Sequence, residues 1–419
     1  MSDLLQRVTE IARTAKKASR ALALAPTAVR DAALRAAAQA LRADEAAILE
    51  ANVKDLAAAK AKGLTDAMTD RLRLDHARLE DIAVACEAVA KLPDPVGEVT
   101  EDWTRPNGLR IIRRRVPIGL VAIIFESRPN VTVDAAALCL KSGNGCVLRG
   151  GSEAIHTNIA LSKSFATGLR AAGLPAEAVT LLPFTDREAV PALGSLRGIV
   201  DIIVPRGGPG LIEAVVNSAK VPVIKHDAGI CHVYVHAQAD LAMAEQIVLN
   251  AKCQRPSACN ALETLLVDAA VAQKFLPQMA AALSAKQTEV RACAQSRPLM
   301  PGAKAATEQD FRTEHLGLIL NVKIVAGLAE AVAHVEDYGS HHSDAIITAD
   351  ESAARAFLAQ IDSACVYWNA STRFTDGGEF GFGAEVGIST DRLHARGPMG
   401  IRELTTWKFE IVGQGQVRG

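Results

Sequence analysis

The sequence predicts an α/β fold with two parallel-sheet domains and a small β-stranded appendage. Short apolar runs rich in β-branched residues, such as Leu120–Phe125, are typical of strands buried on both faces of a parallel sheet. These runs alternate with helical stretches long enough for the right-handed crossovers that join parallel strands. Glycine-containing turns follow two of the runs, at Arg149–Glu153 and at Arg206–Gly210.

The predicted elements follow one another in a clear order. Residues 2–91 are rich in alanine, leucine, arginine and glutamate with helical periodicity, so they predict a stack of helices. Arg110–Arg115 predicts an exposed basic strand outside the alternating series. The first series of predicted strands covers residues 120–125, 146–148, 179–182, 199–204 and 221–224. A second series begins near Cys231 and covers residues 262–267, 318–325, 344–348 and 364–368, before a glycine-rich stretch and a last strand at Thr405–Val412.

Composition excludes several classes of protein. The 419 residues include 46 basic and 47 acidic side chains, and this balance argues against nucleic acid and against an anionic membrane as partners. Eight cysteines without any Cys-x-x-Cys pair predict thiols in a reducing compartment and no metal site. The residues after Met1 show no apolar h-region, so we expect no signal peptide, and the longest apolar stretch, Val116–Phe125, is shorter than the roughly 20 residues of a spanning helix. The prediction is a cytoplasmic protein.

The most distinctive local feature is a cysteine in a proline-containing loop. The loop Gln254–Asn260 presents Cys259 directly before the buried strand Ala261–Val267, where a loop N–H and the Asn260 amide are candidates to face a developing oxyanion. Most cysteines are small core side chains, so packing is the alternative interpretation. Cys253, in the same region, is the rival candidate for a nucleophile.

The two glycine-containing turns are candidate phosphate sites. Glycine lets the backbone approach an anion, and the following helix offers unpaired N–H groups. Tight turns without any ligand use the same residues, but an arginine at each turn suits a phosphate monoester such as the 2′-phosphate of NADP. A metal site at His226, His232 and His236 is rejected, because no carboxylate is fixed nearby in the sequence.

Eight ordered strings resemble the aldehyde dehydrogenase superfamily over nearly the whole chain. They are residues 125–131, 140–144, 148–154, 201–208, 223–229, 254–264, 339–345 and 396–404. More narrowly, the chain resembles the branch that reduces L-glutamate 5-phosphate. The resemblance implies two Rossmann-like domains, an NADPH-binding domain at residues 1–102 and 117–228 and a catalytic domain at residues 229–392. A β-flap and a C-terminal strand, residues 103–116 and 393–419, would form an oligomerisation element and so imply a homo-oligomer.

The resemblance implies a functional role only for residues that match the family's motifs position by position. Cys259 matches the nucleophile. Arg149 replaces a lysine that contacts the adenosine ribose, and Ser152 stands where members that prefer NAD often have a glutamate, so both changes imply NADP(H). The implied cofactor-binding residues are Arg149, Gly150, Ser152, Gly207, Gly208 and Glu314.

Two departures from the family pattern concern the chemistry. His226 replaces the general-base glutamate of aldehyde-oxidising members, and the side-chain oxyanion donor stays open between Ser127 and Asn130. An enzyme that reduces an acyl phosphate never hydrolyses its thioester and needs no activated water, so loss of the glutamate favours reduction. Candidate residues for the charges of the substrate are Arg255, Asn369, Ser371 and Arg373.

The resemblance implies NADPH-dependent reduction of L-glutamate 5-phosphate to L-glutamate 5-semialdehyde and phosphate, through a cysteine thioester, in proline biosynthesis. The product would cyclise to 1-pyrroline-5-carboxylate. The alternatives are an NADP-dependent aldehyde-oxidising dehydrogenase and a thiol acyltransferase without redox chemistry. Glutamate 5-kinase, which makes the acyl phosphate, is a candidate docking partner that the sequence does not decide.

Overall fold

The computed structural model describes residues 3–225 and 228–418, with the side chain of Ala67 left out. The chain forms two compact units. The first comprises Met1–Lys225, Gly381–Gly387 and Met399–Gly419, and the second comprises His226–Phe380 and Ile388–Pro398. His226, a predicted catalytic residue, lies outside the described residues.

Helices alone occupy the first part of the first unit, as predicted. Their bounds are α1 Asp3–Leu24, α2 Thr27–Ala43, α3 Glu45–Ala61, α4 Asp66–Leu72 and α5 His76–Lys91. The side chains of Thr65 and Asp75 accept hydrogen bonds from the first turns of α4 and α5, which fixes where these two helices begin.

A four-stranded parallel sheet follows, in the order β5-β4-β3-β6. Its strands are β3 Leu120–Phe125, β4 Gly145–Arg149, β5 Val179–Leu181 and β6 Ile202–Arg206, and its helices are α6 Val131–Lys141, α7 Ile155–Ala171, α8 Ala189–Gly194 and α9 Pro209–Ser218. β3 is buried along its whole length, as its apolar sequence predicts. The predicted strand at 221–224 is wrong, because only the single bridge Ile203–Val223 forms and Pro222 has no N–H to extend a ladder.

A separate antiparallel sheet of three strands also belongs to the first unit. It consists of β1 Val99–Thr104, β2 Arg110–Pro117 and β16 Thr405–Val412 in the order β1-β2-β16. The predicted basic strand and the predicted last strand are thus paired with each other, from Thr405 opposite Pro117 to Val412 opposite Arg110. The guanidinium of Arg113 lies over the ring of Trp407, 3.9 Å from its centroid.

The second unit contains a seven-stranded parallel sheet in the order β10-β9-β11-β8-β7-β12-β13. The strands are β7 Cys231–Val235, β8 Leu262–Asp268, β9 Glu289–Ala292, β10 Lys304–Ala305, β11 Ile319–Val325, β12 Ser343–Ile347 and β13 Cys365–Trp368. The helices are α10 Leu241–Cys253, α11 Ala269–Ala285, α12 Glu308–Phe311, α13 Leu328–Tyr338 and α14 Glu351–Gln360, and a short pair completes the unit, β14 Ile388–Ser389 and β15 Gly397–Pro398. Both parallel sheets confirm the predicted fold class. No described helix is long and apolar enough to cross a membrane.

Candidate active site

Cys259 lies in the turn between the end of α10 and the start of β8, and its side chain is half-buried. The turn is held by two backbone hydrogen bonds, from Ala258 to the Arg255 carbonyl at 3.1 Å and from Ala261 to the Ala258 carbonyl at 2.9 Å. The buried thiol of Cys231 donates to the Cys259 carbonyl oxygen at 3.3 Å. The backbone that carries the predicted nucleophile is therefore fixed from both sides.

Gly229 connects Cys259 with Glu314. A Cβ added at Gly229 would overlap the backbone carbonyl of Cys259, so only glycine lets the two backbones approach. The Gly229 N–H also hydrogen-bonds to the carboxylate of Glu314, while burial raises the pKa of that carboxylate. Two predicted site residues thus converge on a glycine to which the sequence analysis assigned no role, although it lies in one of the eight strings.

The side chain of Asn260 has a structural role that differs from the predicted one. Its Nδ2 donates to the carbonyls of Thr375 at 2.8 Å and Arg373 at 3.4 Å, and its Oδ1 accepts from the Arg373 guanidinium. Thr372 donates its hydroxyl to the Asn260 carbonyl at 2.7 Å. The prediction that the Asn260 side-chain amide faces an oxyanion is wrong, because both of its N–H groups bind the segment around Thr372.

Two arginines lie close to the thiol. The half-buried Arg373 donates from Nε to Gln254 Oε1 at 2.9 Å. Burial lowers the pKa of Arg373, the charge of Arg255 lowers it further, and the nearby Cys259 and Asp376 raise it. Arg373 thus interacts electrostatically with both Arg255 and Cys259, and contact of the two arginines with substrate stays a prediction.

The other two candidate substrate residues are occupied by local structure. Asn369 has a φ of 55°, and its side-chain amide bonds to the backbone of Thr348 through both its oxygen, at 2.9 Å, and its nitrogen, at 3.0 Å. The buried Ser371 accepts from the Arg373 backbone N–H at 3.2 Å. These contacts order the segment that carries Arg373, and contact with substrate stays a prediction for both residues.

A buried ion pair, missed by the sequence analysis, lies under the Glu314 segment. Lys252 Nζ and Glu263 Oε2 are 2.8 Å apart, and both side chains are almost fully buried. Glu263 also accepts from the Leu316 N–H at 3.3 Å. Burial raises the pKa of Glu263 to about 7 and lowers the pKa of Lys252. The signal in the sequence was a lysine at the end of a helix and a glutamate inside an otherwise apolar strand.

Arg149, at the end of β4, fits an anion in the first glycine-containing turn. Its Nη2 donates to the carbonyls of Thr185 at 2.9 Å and Asp186 at 3.3 Å, whereas its buried Nε has no acceptor among the described residues. Burial lowers the pKa of Arg149, the carboxylates of Glu153 and Glu126 raise it, and the charge of the exposed Arg187 lowers it. Arg187 is therefore a second candidate for contact with a phosphate that the sequence analysis missed.

The glycines of this turn border an unsatisfied donor. A Cβ at Gly150 would overlap the amide nitrogen of Asn158, and that buried Nδ2 has no acceptor in the described part of the chain. A Cβ at Gly151 would overlap the carboxylate of Glu153, and Ser152 is exposed beside it. The residues present therefore fit an oxygen-rich group such as a phosphorylated ribose.

In the second glycine-containing turn, Arg206–Gly210, a carboxylate already binds the backbone N–H that an anion would use. The Gly208 N–H, before the first residue of α9, donates to Glu126 Oε2 at 3.0 Å. A Cβ at Gly207 would overlap the same carboxylate and Leu211. An anion at this amide would have to displace Glu126, so the turn fits a neutral part of a cofactor better than a phosphate.

The two candidate oxyanion donors differ in what they already bind. Ser127, with a φ of 39°, donates to Glu153 Oε1 through both its N–H at 2.6 Å and its hydroxyl at 2.7 Å. Asn130 donates from Nδ2 to Asp134 at 2.7 Å. A hydroxyl has one hydrogen and an amide nitrogen has two, so Asn130 retains a donor and Ser127 does not.

The rival cysteine and the remaining histidines have local partners. Cys253 Sγ lies 3.5 Å from Thr288 Oγ1 at the end of α10. The buried His232 pairs with Asp344 at 3.0 Å, and His236 bonds to Thr348 at 2.8 Å. Among residues 3–225 and 228–418, no group of three histidine, cysteine or carboxylate side chains could hold a metal ion.

The chain is similar to known proteins over its whole length. A sequence model described as the aldehyde dehydrogenase family matches residues 5–299. A γ-glutamyl phosphate reductase of Moorella thermoacetica is 54% identical, with 96% of this chain and 97% of that protein covered. The crystal structure of a γ-glutamyl phosphate reductase from Thermotoga maritima has a TM-score of 0.97 at 45% identity, with both chains fully covered. An acetylating aldehyde dehydrogenase from Geobacillus thermoglucosidasius shares the fold, with a TM-score of 0.68 at 19% identity and both chains fully covered. The chain belongs to the aldehyde dehydrogenase family and, within it, to the γ-glutamyl phosphate reductases.

Proposed function

We propose that this protein reduces L-glutamate 5-phosphate to L-glutamate 5-semialdehyde, with NADPH as the reductant and phosphate as the second product, in proline biosynthesis. The observation that carries the proposal is the surroundings of Cys259: a thiol on a fixed turn that interacts electrostatically with Arg373, which Arg255 also influences. A nucleophile beside two guanidiniums suits an acyl phosphate, which needs attack at carbon and stabilisation of a departing dianion. The names of the relatives support the same reaction.

The reaction begins at Cys259. Its thiolate attacks the C5 carbonyl carbon of the acyl phosphate, the bond from C5 to the phosphate oxygen breaks, and inorganic phosphate leaves with that electron pair. The resulting thioester keeps the glutamyl group on Sγ. Hydride addition to this carbonyl, with the hydride that a bound reduced nicotinamide would supply, would give a thiohemiacetal oxyanion. Collapse of the thiohemiacetal breaks the bond between carbon and sulfur, releases the aldehyde and restores the thiolate.

The proposed site residues have distinct roles in this scheme. Arg255 and Arg373 bind the phosphate before and after it leaves, since guanidinium groups match phosphate oxygens in pairs. Asn130 donates its second amide hydrogen to the oxyanion that forms twice during the sequence. His226 has no obligatory proton to take because no water is activated, so we expect His226→Ala to cost about 10-fold, against about 10²–10⁴-fold for loss of a general base.

Cofactor choice depends on the first glycine-containing turn. Membership of the aldehyde dehydrogenase family gives a nicotinamide cofactor. The preference for NADP(H) is supported by Arg149, with its unsatisfied Nε, and by the neighbouring Arg187. Gly150 and Ser152 would leave room for the phosphorylated ribose, Gly207 and Gly208 would border the neutral part of the cofactor, and Glu314 would accept hydrogen bonds from its nicotinamide ribose.

The proposal also covers the oligomeric state of the protein and the cell compartment in which it works. β16 is an edge strand with Trp407, Phe409 and Ile411 exposed, which supports pairing with a second copy in a homo-oligomer. Thiols throughout the described chain, with no disulfide among them, support the cytoplasm. Docking of glutamate 5-kinase stays a hypothesis to which no residue is assigned.

The test of the proposed function is the reverse reaction run with and without inorganic phosphate. We expect steady oxidation of L-glutamate 5-semialdehyde by NADP⁺ only when phosphate is present, because phosphate is the acceptor of the acyl group. Steady oxidation without phosphate would identify an aldehyde-oxidising dehydrogenase that hydrolyses its thioester. Acyl transfer without any nicotinamide turnover would identify the thiol acyltransferase.

A further inference from the structure

Two neutral amides in the second unit hold the guanidinium of Arg373. Its Nε donates to Gln254 Oε1 at 2.9 Å, and its Nη1 donates to Asn260 Oδ1. The amide nitrogen of Asn260 also donates to the Arg373 carbonyl at 3.4 Å, so one side chain holds both ends of this arginine. Nη2 donates to no residue within 3–225 and 228–418, and its two hydrogens are therefore available to a ligand.

Other arginines of the second unit bind carboxylates instead. Five of them lie within ion-pair distance of a carboxylate, namely Arg291, Arg312, Arg355, Arg392 and Arg396. A carboxylate neutralises the guanidinium that it binds, whereas an amide oxygen accepts the same hydrogen bond and leaves the positive charge in place. Arg373 is therefore fixed in position by partners that do not neutralise it.

We propose that Gln254 is a positioning residue, which holds the Arg373 guanidinium for a phosphate dianion and keeps it cationic because the glutamine side chain is itself neutral. The inference rests on the proposed function, because it deepens the assignment of Arg373 to the phosphate of that reaction. It gives a role to a residue to which the sequence analysis assigned none, although Gln254 begins the loop that carries Cys259.

Both partners of this hydrogen bond are ordered by their own segments. Gln254 continues the last turn of α10 with a φ of −65° and a ψ of −44°, and its N–H donates to the Asn250 carbonyl at 3.3 Å. The Arg373 N–H donates to Ser371 Oγ at 3.2 Å. The Arg373 side chain is therefore largely immobilised before a ligand arrives, which lowers the entropy cost of binding a phosphate.

The charges around Arg373 leave room for an anion. Burial lowers the pKa of Arg373 and the charge of Arg255 lowers it further, whereas Cys259, Asp376 and Cys231 raise it. Burial also raises the pKa of the Cys231 thiol, so this thiol stays neutral. A phosphate dianion at Arg373 would favour the charged guanidinium that burial and Arg255 oppose.

Gln254→Glu separates orientation from charge. Glutamate has the length of glutamine and offers the same acceptor, so the bond to Nε is kept while an ion pair now neutralises Arg373. In the oxidation of L-glutamate 5-semialdehyde by NADP⁺ and phosphate, we expect the KM for phosphate to rise about 10-fold. The KM values for the aldehyde and for NADP⁺ should not change, and saturating phosphate should restore kcat.

Gln254→Met removes the acceptor without adding a charge. Arg373 then stays cationic but is held less firmly, so we expect a smaller rise in the KM for phosphate, about threefold. The rate of Cys259 labelling by iodoacetamide, measured against pH, gives a second readout. A cationic Arg373 favours the Cys259 thiolate, so the midpoint of this profile should move to higher pH in Gln254→Glu and move less in Gln254→Met.

Gln273→Glu is the matched control, because Gln273 is an exposed glutamine of α11 in the same unit and the change in charge is identical. This variant should alter none of these quantities. An unchanged KM for phosphate in Gln254→Glu would overturn the proposal. A larger rise in Gln254→Met than in Gln254→Glu, or an equal rise of all three KM values, would overturn it as well.

Calorimetric titration with inorganic phosphate separates this inference from catalysis. We expect the wild type to bind phosphate and Gln254→Glu to bind it about 10-fold more weakly. The same difference in an enzyme whose aldehyde oxidation ignores phosphate would refute the proposed function alone. Phosphate-dependent turnover with equal phosphate affinity in the two proteins would refute the role of Gln254 alone. No phosphate binding by the wild type, together with turnover that ignores phosphate, would refute both.

Discussion

The backbone of Gly229 lies against the carbonyl group of Cys259, so closely that a single added methyl group would overlap it. The same glycine donates its N–H to the Glu314 carboxylate. One position therefore sets the placement of the nucleophile and of the proposed ribose ligand. Replacement of this glycine should disturb both without removing either side chain.

We expect Gly229→Ala to lower kcat at least 100-fold, because displacement of reacting atoms by about 1 Å carries a cost of that size. The thiol itself is retained, so stoichiometric labelling of Cys259 by iodoacetamide should still occur, at an altered rate. Gly302→Ala is a control in the same unit, since an added Cβ there contacts nothing within 4 Å, although its φ of 85° carries a backbone cost. Equal kcat values for Gly229→Ala and the wild type would show that the close approach has no catalytic consequence.

Arg149→Ala tests the cofactor preference. We expect the KM for NADPH to rise about 10- to 100-fold while the KM for NADH changes little, because a charge-assisted contact to a phosphate is worth roughly 1.5–3 kcal/mol. Arg187→Ala should show a smaller effect in the same direction. Arg149 also donates to the carbonyls of Thr185 and Asp186, so the melting temperature must be measured beside the kinetics. Equal weakening for both cofactors would assign Arg149 to the fold.

Lys252→Met tests the buried ion pair. Removal of the lysine leaves the Glu263 carboxylate buried without a counter-charge, and we expect a loss of about 3–5 kcal/mol in the free energy of unfolding. The double variant Lys252→Met/Glu263→Leu should recover most of this stability, because no buried charge then remains. Urea unfolding of the wild type and both variants gives the values. A double variant no more stable than the single one would mean that the pair organises the Glu314 segment rather than compensating a charge.

The raised pKa of Asp134 predicts that its contribution to the free energy of unfolding falls as the pH rises. Its pKa is raised from 3.8 to about 6 in the folded protein, so the folded state binds more protons than the unfolded state between these values. Ionised Asp134 therefore destabilises the fold above about pH 6 and has no such effect below about pH 4. Asp134→Asn should gain about 3 kcal/mol relative to the wild type as the pH rises through this window, because each pKa unit corresponds to about 1.4 kcal/mol, and the gain should then stay constant. A difference independent of pH would contradict the assigned burial effect.

Much of the fold followed from local pattern, and much of the site did not. The run Leu120–Phe125 matched β3 residue for residue, because an apolar β-branched run has few alternatives to a buried strand. The strand β1, with the sequence VTEDWT, was not predicted from its residues, because they carry no burial pattern, and the resemblance implied only a β-flap from Trp103 onwards. The closeness of Gly229 to Cys259 and the bond of Asn260 to Thr375 depend on residues far apart in the chain. No local sequence pattern shows which hydrogen-bond donors are already engaged in such contacts.

The most direct test of a thioester at Cys259 is a single-turnover experiment in the absence of phosphate. Enzyme, L-glutamate 5-semialdehyde and NADP⁺ should release one equivalent of NADPH per subunit and then stop, with the glutamyl group on the peptide that contains Cys259. Cys259→Ser should bind NADP⁺ and release no NADPH, because a serine hydroxyl is scarcely ionised near neutral pH, whereas Cys253→Ser should behave as the wild type. Addition of phosphate should restart turnover. An acyl group found on Cys253, or no acyl group beside a full burst of NADPH, would contradict the thioester at Cys259.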